Sequence, residues 1–153
     1  MNPIRRRDLY IALSALVPAR LTTTQAKRLP RPEKSKTLST SEVFSLDRVP
    51  VTRGANGGKR WEIVQGVLRT GESIAIHESE QPAGVAPNPP HTIQHSELIL
   101  VQEGTLLVEY AGKSEKIDAG GVILVAPGTR HAAKNVSRGP VKYLVIAIGG
   151  DTK

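Results

Sequence analysis

The 153-residue sequence predicts an all-β fold, a sandwich or a closed barrel. Three observations carry that prediction. After residue 40, about nine short runs rich in Val, Ile, Leu and Thr follow one another, with Gly, Pro or Asn between them. No segment in that region keeps apolar residues at the 3.6-residue spacing of a helix. Several runs instead alternate apolar with polar residues, the period of a strand whose two faces differ. The length suits one domain with a single core and is too short for two ordinary ones.

Taken in order, the chain opens with Arg5, Arg6 and Arg7 followed by an apolar stretch that ends near Val17. That stretch is much shorter than the ~20 residues a bilayer span needs, so no stable membrane span is expected. It has the charged and apolar regions of a signal peptide, and Arg6-Arg7-Asp8-Leu9-Tyr10 resembles the twin-arginine export pattern, which implies export to the periplasm. The same residues also suit a short amphipathic or frayed N-terminal helix of a cytoplasmic protein. Residues 20–40, rich in Thr, Pro, Lys and Arg, read as a linker, so residues 1–40 are assigned to a signal-like segment and linker and 41–153 to a single β domain.

Within that domain Ser41 to Leu46 reads as a short edge strand, and Val49-Pro50-Val51 leads into a Gly-rich loop. Lys59 to Arg69 reads as a bent strand interrupted at Gly66. Ser73 to Glu80 alternates Ile74 and Ile76 against Ala75 and His77. Leu98 to Gln102 and Thr105 to Tyr110 are joined by Glu103-Gly104 as a hairpin, and Ala111-Gly112 turns into Lys113 to Ile117. Val122 to Ala126, Ala132 to Val136 and Val141 to Ile148 complete the set.

The formal charge of +7 suggests a polyanion partner until it is mapped along the chain. Residues 1–36 hold nine of the 21 basic residues against Asp8 and Glu33, which leaves twelve residues of each sign in the remainder. The body is neutral. With one Trp, one Phe and three Tyr the whole chain has little on which bases would stack, so no nucleic-acid partner is expected. There are no cysteines, which excludes disulfides and thiolate chemistry.

Chemistry concentrates in Pro89 to Gly104, where His91, His95 and Glu97 occupy positions of the same parity just before an apolar strand. An extended chain would point all three the same way if no bulge intervened. Imidazole nitrogen and carboxylate oxygen suit zinc, iron, nickel or manganese. A carboxylate on an otherwise apolar strand is also hard to explain as packing, because burying it costs several kcal/mol unless it is paired or metal-bound. A second segment, Gly120 to Asn135, runs as an apolar strand into Pro127-Gly128 and then His131.

Together the two segments resemble the two signature motifs of the cupin superfamily. Glu97 precedes Gly104 by the spacing of the first motif, and Gly128, His131 and Asn135 follow the spacing of the second, with the proline displaced by one to Pro127. His91 takes the place of the first motif histidine, whereas Ile93 holds the place of the second. The resemblance, covering roughly Gly71 to Ile148, implies a cupin-type double-stranded β-helix, a jelly-roll barrel with a metal in its cavity. It carries over His91, Glu97 and His131 as metal ligands, with His95 as a possible substitute. It also implies a homodimer through N-terminal strands, for which Ser41 to Leu46 is the expected contact.

Two functional readings follow. The leading one is a small cupin binding a divalent metal (Fe, Mn, Zn or Ni), a metal-dependent oxygenase or isomerase acting on a small organic molecule, with Glu97 as an alternative proton acceptor. The other is a metal-free small-molecule-binding module in which Ile93 makes the cavity apolar and His91 and His131 hydrogen-bond the ligand. His77, flanked by Glu78 and Glu80, reads as a solvated or cross-strand residue. Gln94 and Arg130 carry no signal beyond their position near the motifs.

Overall fold

The computed structural model describes residues 36–150, so the twin-arginine-like segment and most of the expected linker lie outside the described residues. Eleven strands form: β1 (Thr37–Leu38), β2 (Val51–Arg53), β3 (Lys59–Leu68), β4 (Ser73–Gln81), β5 (His91–Thr92), β6 (Ser96–Glu103), β7 (Thr105–Tyr110), β8 (Lys113–Asp118), β9 (Val122–Val125), β10 (Arg130–Asn135) and β11 (Val141–Ile148). A 3-10 turn, Leu46–Arg48, is the one helical element among the described residues. None of them forms a helix long and apolar enough to cross a membrane.

The strands make a seven-stranded sheet, ordered β1-β3-β4-β11-β6-β9 with β2 also on β3, and a four-stranded sheet ordered β5-β10-β7-β8. The core joins the two sheets: Ile99 and Val101 of β6 and Val141 and Val145 of β11 pack with Leu106 and Val108 of β7. Val101, Leu106, Val108 and Val141 have no exposed surface at all. Each such burial contributes about 1.5–3 kcal/mol. This double-sheet jelly roll is the architecture that the resemblance implies.

Asn135 ties one end of the barrel shut. Its Nδ2 donates to the carbonyls of Gln81 and Gly139, both at 2.9 Å, and its Oδ1 accepts from Ser137 N at 2.8 Å. Asn135 N in turn donates to Gln81 Oε1 at 3.2 Å, so one residue pair bridges β10 and β4 across the two sheets.

The structure corrects three local expectations. Residues 41–45 form no strand, and Val43 is 89% exposed. The edge of β3 is taken by β1 at Val67 and Leu68 and by β2 at Lys59 to Trp61, on either side of the stretch expected to pair. The irregularity in β3 falls between Glu62 and Val64 and not at Gly66. Gly66 is required for another reason: a Cβ there would lie 2.3 Å from Lys36 O, the carbonyl that accepts from Val67 N. Finally, Glu103-Gly104 is not a hairpin. Both edges of β6 are occupied, by β11 and β9, so the chain crosses at Gly104 (φ 79°) to the other sheet. The Ala111-Gly112 hairpin does form, with φ of 47° and 78° at its two turn residues.

Candidate functional site

Glu97 stands on the inner face of β6, opposite Ala147 of β11 and Val125 of β9. Ala147 in turn lies opposite Ala75 of β4. Glu97 lines a cavity of about 250 Å³ together with His77 of β4, Ile99 of β6 and Val145 of β11. From the smaller sheet, β10 contributes His131, paired in register with His91 of β5 on one side and Tyr110 of β7 on the other.

The expected residues meet, though by a different route. The chain leaves the smaller sheet at Thr92 and enters the larger one at Ser96, so residues 91–97 are not one strand and their alternation breaks at 93–95. His91 and Glu97 belong to opposite walls. His131 Nε2 lies 3.4 Å from Glu97 Oε1, and His95 Nε2 lies 3.4 Å from Glu97 Oε2. The His91 ring rests on that of His131 with centroids 4.5 Å apart, and His91 itself is exposed at the mouth. Glu97 is 8% and His131 4% exposed, so the pair is shielded from water.

That shielding sets the protonation states. Burial pushes the Glu97 carboxyl up, but the hydrogen bond and positive charge of His131, then those of His95, outweigh it and hold the group below its ordinary value. His131 is raised by its hydrogen bond to Glu97, against the effect of burial and with help from Thr129 O, which faces its Nδ1 at 3.4 Å. The pair is therefore an imidazolium against a carboxylate over the range between their two values.

Sequence reasoning missed the cavity's deeper wall. His77, Ser79 and Gln81 all point inward from β4, 9%, 8% and 5% exposed. The reading of His77 as a solvated residue is corrected: burial, then the positive charge of Arg60, lowers its pKa to about 4 and keeps the ring neutral. Gln81 Nε2 donates to Tyr143 Oη at 2.9 Å, and Tyr143 also hydrogen-bonds Ser79. Burial raises the Tyr143 pKa and keeps the phenol protonated. A signal for this wall existed, since His77, Ser79 and Gln81 share one strand parity. It pointed the wrong way because Ile74 and Ile76, the apolar members of the same run, are the residues that face outward.

A metal fits this donor set poorly. Among the described residues no three His, Cys, Asp or Glu side chains form a group that would hold an ion. His91, His95, Glu97 and His131 meet in pairs: each Glu97 oxygen already faces an imidazole, and the His91 and His131 rings contact each other tilted by 53°. Ile93, at the place of the fourth ligand, is 4% exposed and packed in the apolar core.

Comparison with known proteins agrees with the architecture. Residues 76–147 match the family described as cupin domain. Among solved structures, a predicted oxalate decarboxylase from Thermotoga maritima superposes with a TM-score of 0.60 at 17% identity, covering 71% of this chain and 100% of that one. An RmlC-like cupin from Shewanella frigidimarina gives 0.59 at 22% identity, covering 73% and 95%. KdgF from a Halomonas species gives 0.61 at 17% identity, covering 73% and 97%. No curated protein matches the chain at a significant level.

Proposed function

We propose, for a chain that belongs to the cupin superfamily, that its cavity binds a small polar organic molecule directly on side chains, with no resident metal. The observation that carries this reading is Glu97 held between two imidazoles, both of its oxygens engaged, inside a cavity of about 250 Å³. That volume is slightly below the usual range of small-molecule sites and suits a compact ligand. Neutral His77, Ser79 and the Gln81–Tyr143 pair offer donors and acceptors on the wall made by the larger sheet, and the His131–Glu97 pair, which spans the two sheets, offers a proton donor beside an acceptor. Such a pair can move a proton on a bound hydroxyl or carbonyl compound, which makes acid–base catalysis chemically available. The fold does not choose between binding and turnover.

The metal-dependent oxygenase or isomerase reading retains one supporting observation. His91, Glu97 and His131 line one cavity and His95 reaches the second Glu97 oxygen, so a rotation of the Glu97 carboxylate would free oxygens for an ion. Elemental analysis of natively purified protein, with melting curves in the presence and absence of EDTA, tests both. Substoichiometric metal and an EDTA-insensitive melting temperature are expected. Stoichiometric metal that is lost in His131→Ala would overturn the metal-free reading in favour of the second.

A further inference from the structure

On the wall of the cavity made by the larger sheet, the hydrogen bonds run in a direction that the structure fixes. Asn135 N donates to Gln81 Oε1 at 3.2 Å, and Gln81 Nε2 faces the carbonyl of Ala133 at 3.4 Å. A flipped amide would set oxygen against that carbonyl and N–H against N–H, so only one orientation of Gln81 serves. Its Nε2 therefore donates to Tyr143 Oη at 2.9 Å, and the phenol oxygen accepts. Tyr143 and Ser79, opposite each other in register, share a further hydrogen bond. The two hydroxyls carry two protons between them, and their mutual bond uses one. Whichever way that bond points, one O–H is left over. Tyr143 is 6% and Ser79 8% exposed, both line the cavity, and no acceptor among the described residues takes the remaining proton. It donates into the cavity.

Arg60 completes the row. It lies opposite Ser79, which lies opposite Tyr143, so β3, β4 and β11 present the three side by side. Arg60 lines the cavity, and its positive charge is felt at both His77 and Tyr143. It bonds Glu62 through Nε, which leaves its two terminal amino groups without a partner among the described residues. The other cations on the cavity wall are engaged at their charged ends, Lys59 Nζ by Glu80 at 2.6 Å and His131 Nε2 by Glu97 at 3.4 Å. A planar cation with a free edge of N–H groups, beside a hydroxyl donor and with no carboxylate in the row, is complementary to a carboxylate. Along β11, Tyr143 stands four residues from Ala147, which lies opposite Glu97, a backbone distance of about 13 Å that the side chains shorten from both ends. A molecule that joins this row to Glu97 therefore carries its second polar group a few atoms away from its carboxylate.

Resting on the reading of the cavity as a metal-free binding site, we propose that Arg60 and the Ser79–Tyr143 hydroxyl pair form its carboxylate subsite, and that the ligand is a small hydroxy or oxo acid. Ligand-observed NMR titration of the full chain, with and without EDTA, tests it with sodium 3-hydroxybutyrate, 4-hydroxybutyrate and laevulinate, each against its own primary amide. At least one acid is expected to bind with a Kd of about 1 mM or tighter, and its amide about tenfold more weakly. Arg60→Gln, at a half-exposed side chain, should weaken the acid about tenfold and leave the amide unchanged. Removing either hydroxyl frees the proton of the other, so Ser79→Ala and Tyr143→Phe should each cost little, and the double variant about tenfold. An amide that binds as tightly as its acid, an Arg60→Gln variant that weakens both alike, or a chain that binds none of the acids overturns the subsite. Binding that EDTA abolishes overturns the metal-free reading alone, because acid against amide in Arg60→Gln without EDTA still decides the subsite.

Discussion

Along β4, β6 and β11, neighbouring residues go to opposite faces of one sheet: Ile76 outward and His77 inward, Leu98 outward and Glu97 inward, Ile146 outward and Ala147 inward. In an ordinary half-buried sheet the aliphatic side of such alternation faces the core. On β4 it faces out, and His77, Ser79 and Gln81 face in; β6 and β11 are aliphatic on both faces, with Glu97 and Ala147 the exceptions on an inner face otherwise built of Ile99, Val101, Val141, Tyr143 and Val145. Polar residues kept inside at the cost of burial mark a binding site.

The sharpest test of this contrast uses the closed end of the barrel. Leu106→Ala removes a side chain with no exposed surface and is expected to cost about 2–5 kcal/mol in urea denaturation. A loss well under 1 kcal/mol would mean that packing does not hold that end.

Acid stability probes the cavity wall. His77 stays neutral in the folded protein down to about 4, whereas in the unfolded chain it takes up a proton below 6.5. Stability from this residue is therefore present above 6.5 and lost as the pH falls, by about 3 kcal/mol over the full span at ~1.4 kcal/mol per pH unit. His77→Gln should remove most of that slope, measured as the urea midpoint against pH. An unchanged slope would place the ring in water. The Glu97–His131 pair works in the other sense on its basic side: the raised histidine contributes fully below 6.5 and fades as the pH rises through its folded value, while the lowered carboxyl contributes above 4.5 and fades in acid.

Asn135→Ala strips three side-chain hydrogen bonds, one to β4 at Gln81 and two within the turn at Ser137 and Gly139, and is expected to cost about 1–3 kcal/mol, read from the same denaturation curves. Glu97→Gln has the smallest expected effect on stability at neutral pH, within about 1 kcal/mol, because His131, raised through Glu97, then sheds its proton and no buried charge is left unpaired. Its effect on His131 is larger. The imidazole pKa should fall from above 6.5 to near or below it, which an NMR titration of the ring resolves. A value that stays high would separate the two groups.

Most strands were legible because their alternation and their Gly and Pro punctuation are local. Val141 to Ile148 was placed to the residue, and the Ala111-Gly112 turn followed from its need for positive φ. Glu97 and His131 were legible as a pair only through motif spacing. The failures were non-local. Val43 and Phe44 have the side chains of a strand but pair with no strand, and Glu103-Gly104 has the composition of a hairpin between strands that pair elsewhere. Burial of His77 was hidden because the parity of a strand does not say which side is inside.

The amino-acid order alone determined that this chain is built from short strands, and that one carboxylate and several imidazoles sit at their ends. Those properties depend on dihedral preferences and side-chain chemistry, which each residue carries with it. Only the tertiary structure decided which face of β4, β6 and β11 lines the cavity and which imidazoles reach Glu97. It also decided that Ile93 belongs to the core. These outcomes depend on how two sheets close over each other, a contact between residues far apart in the chain that no local pattern encodes.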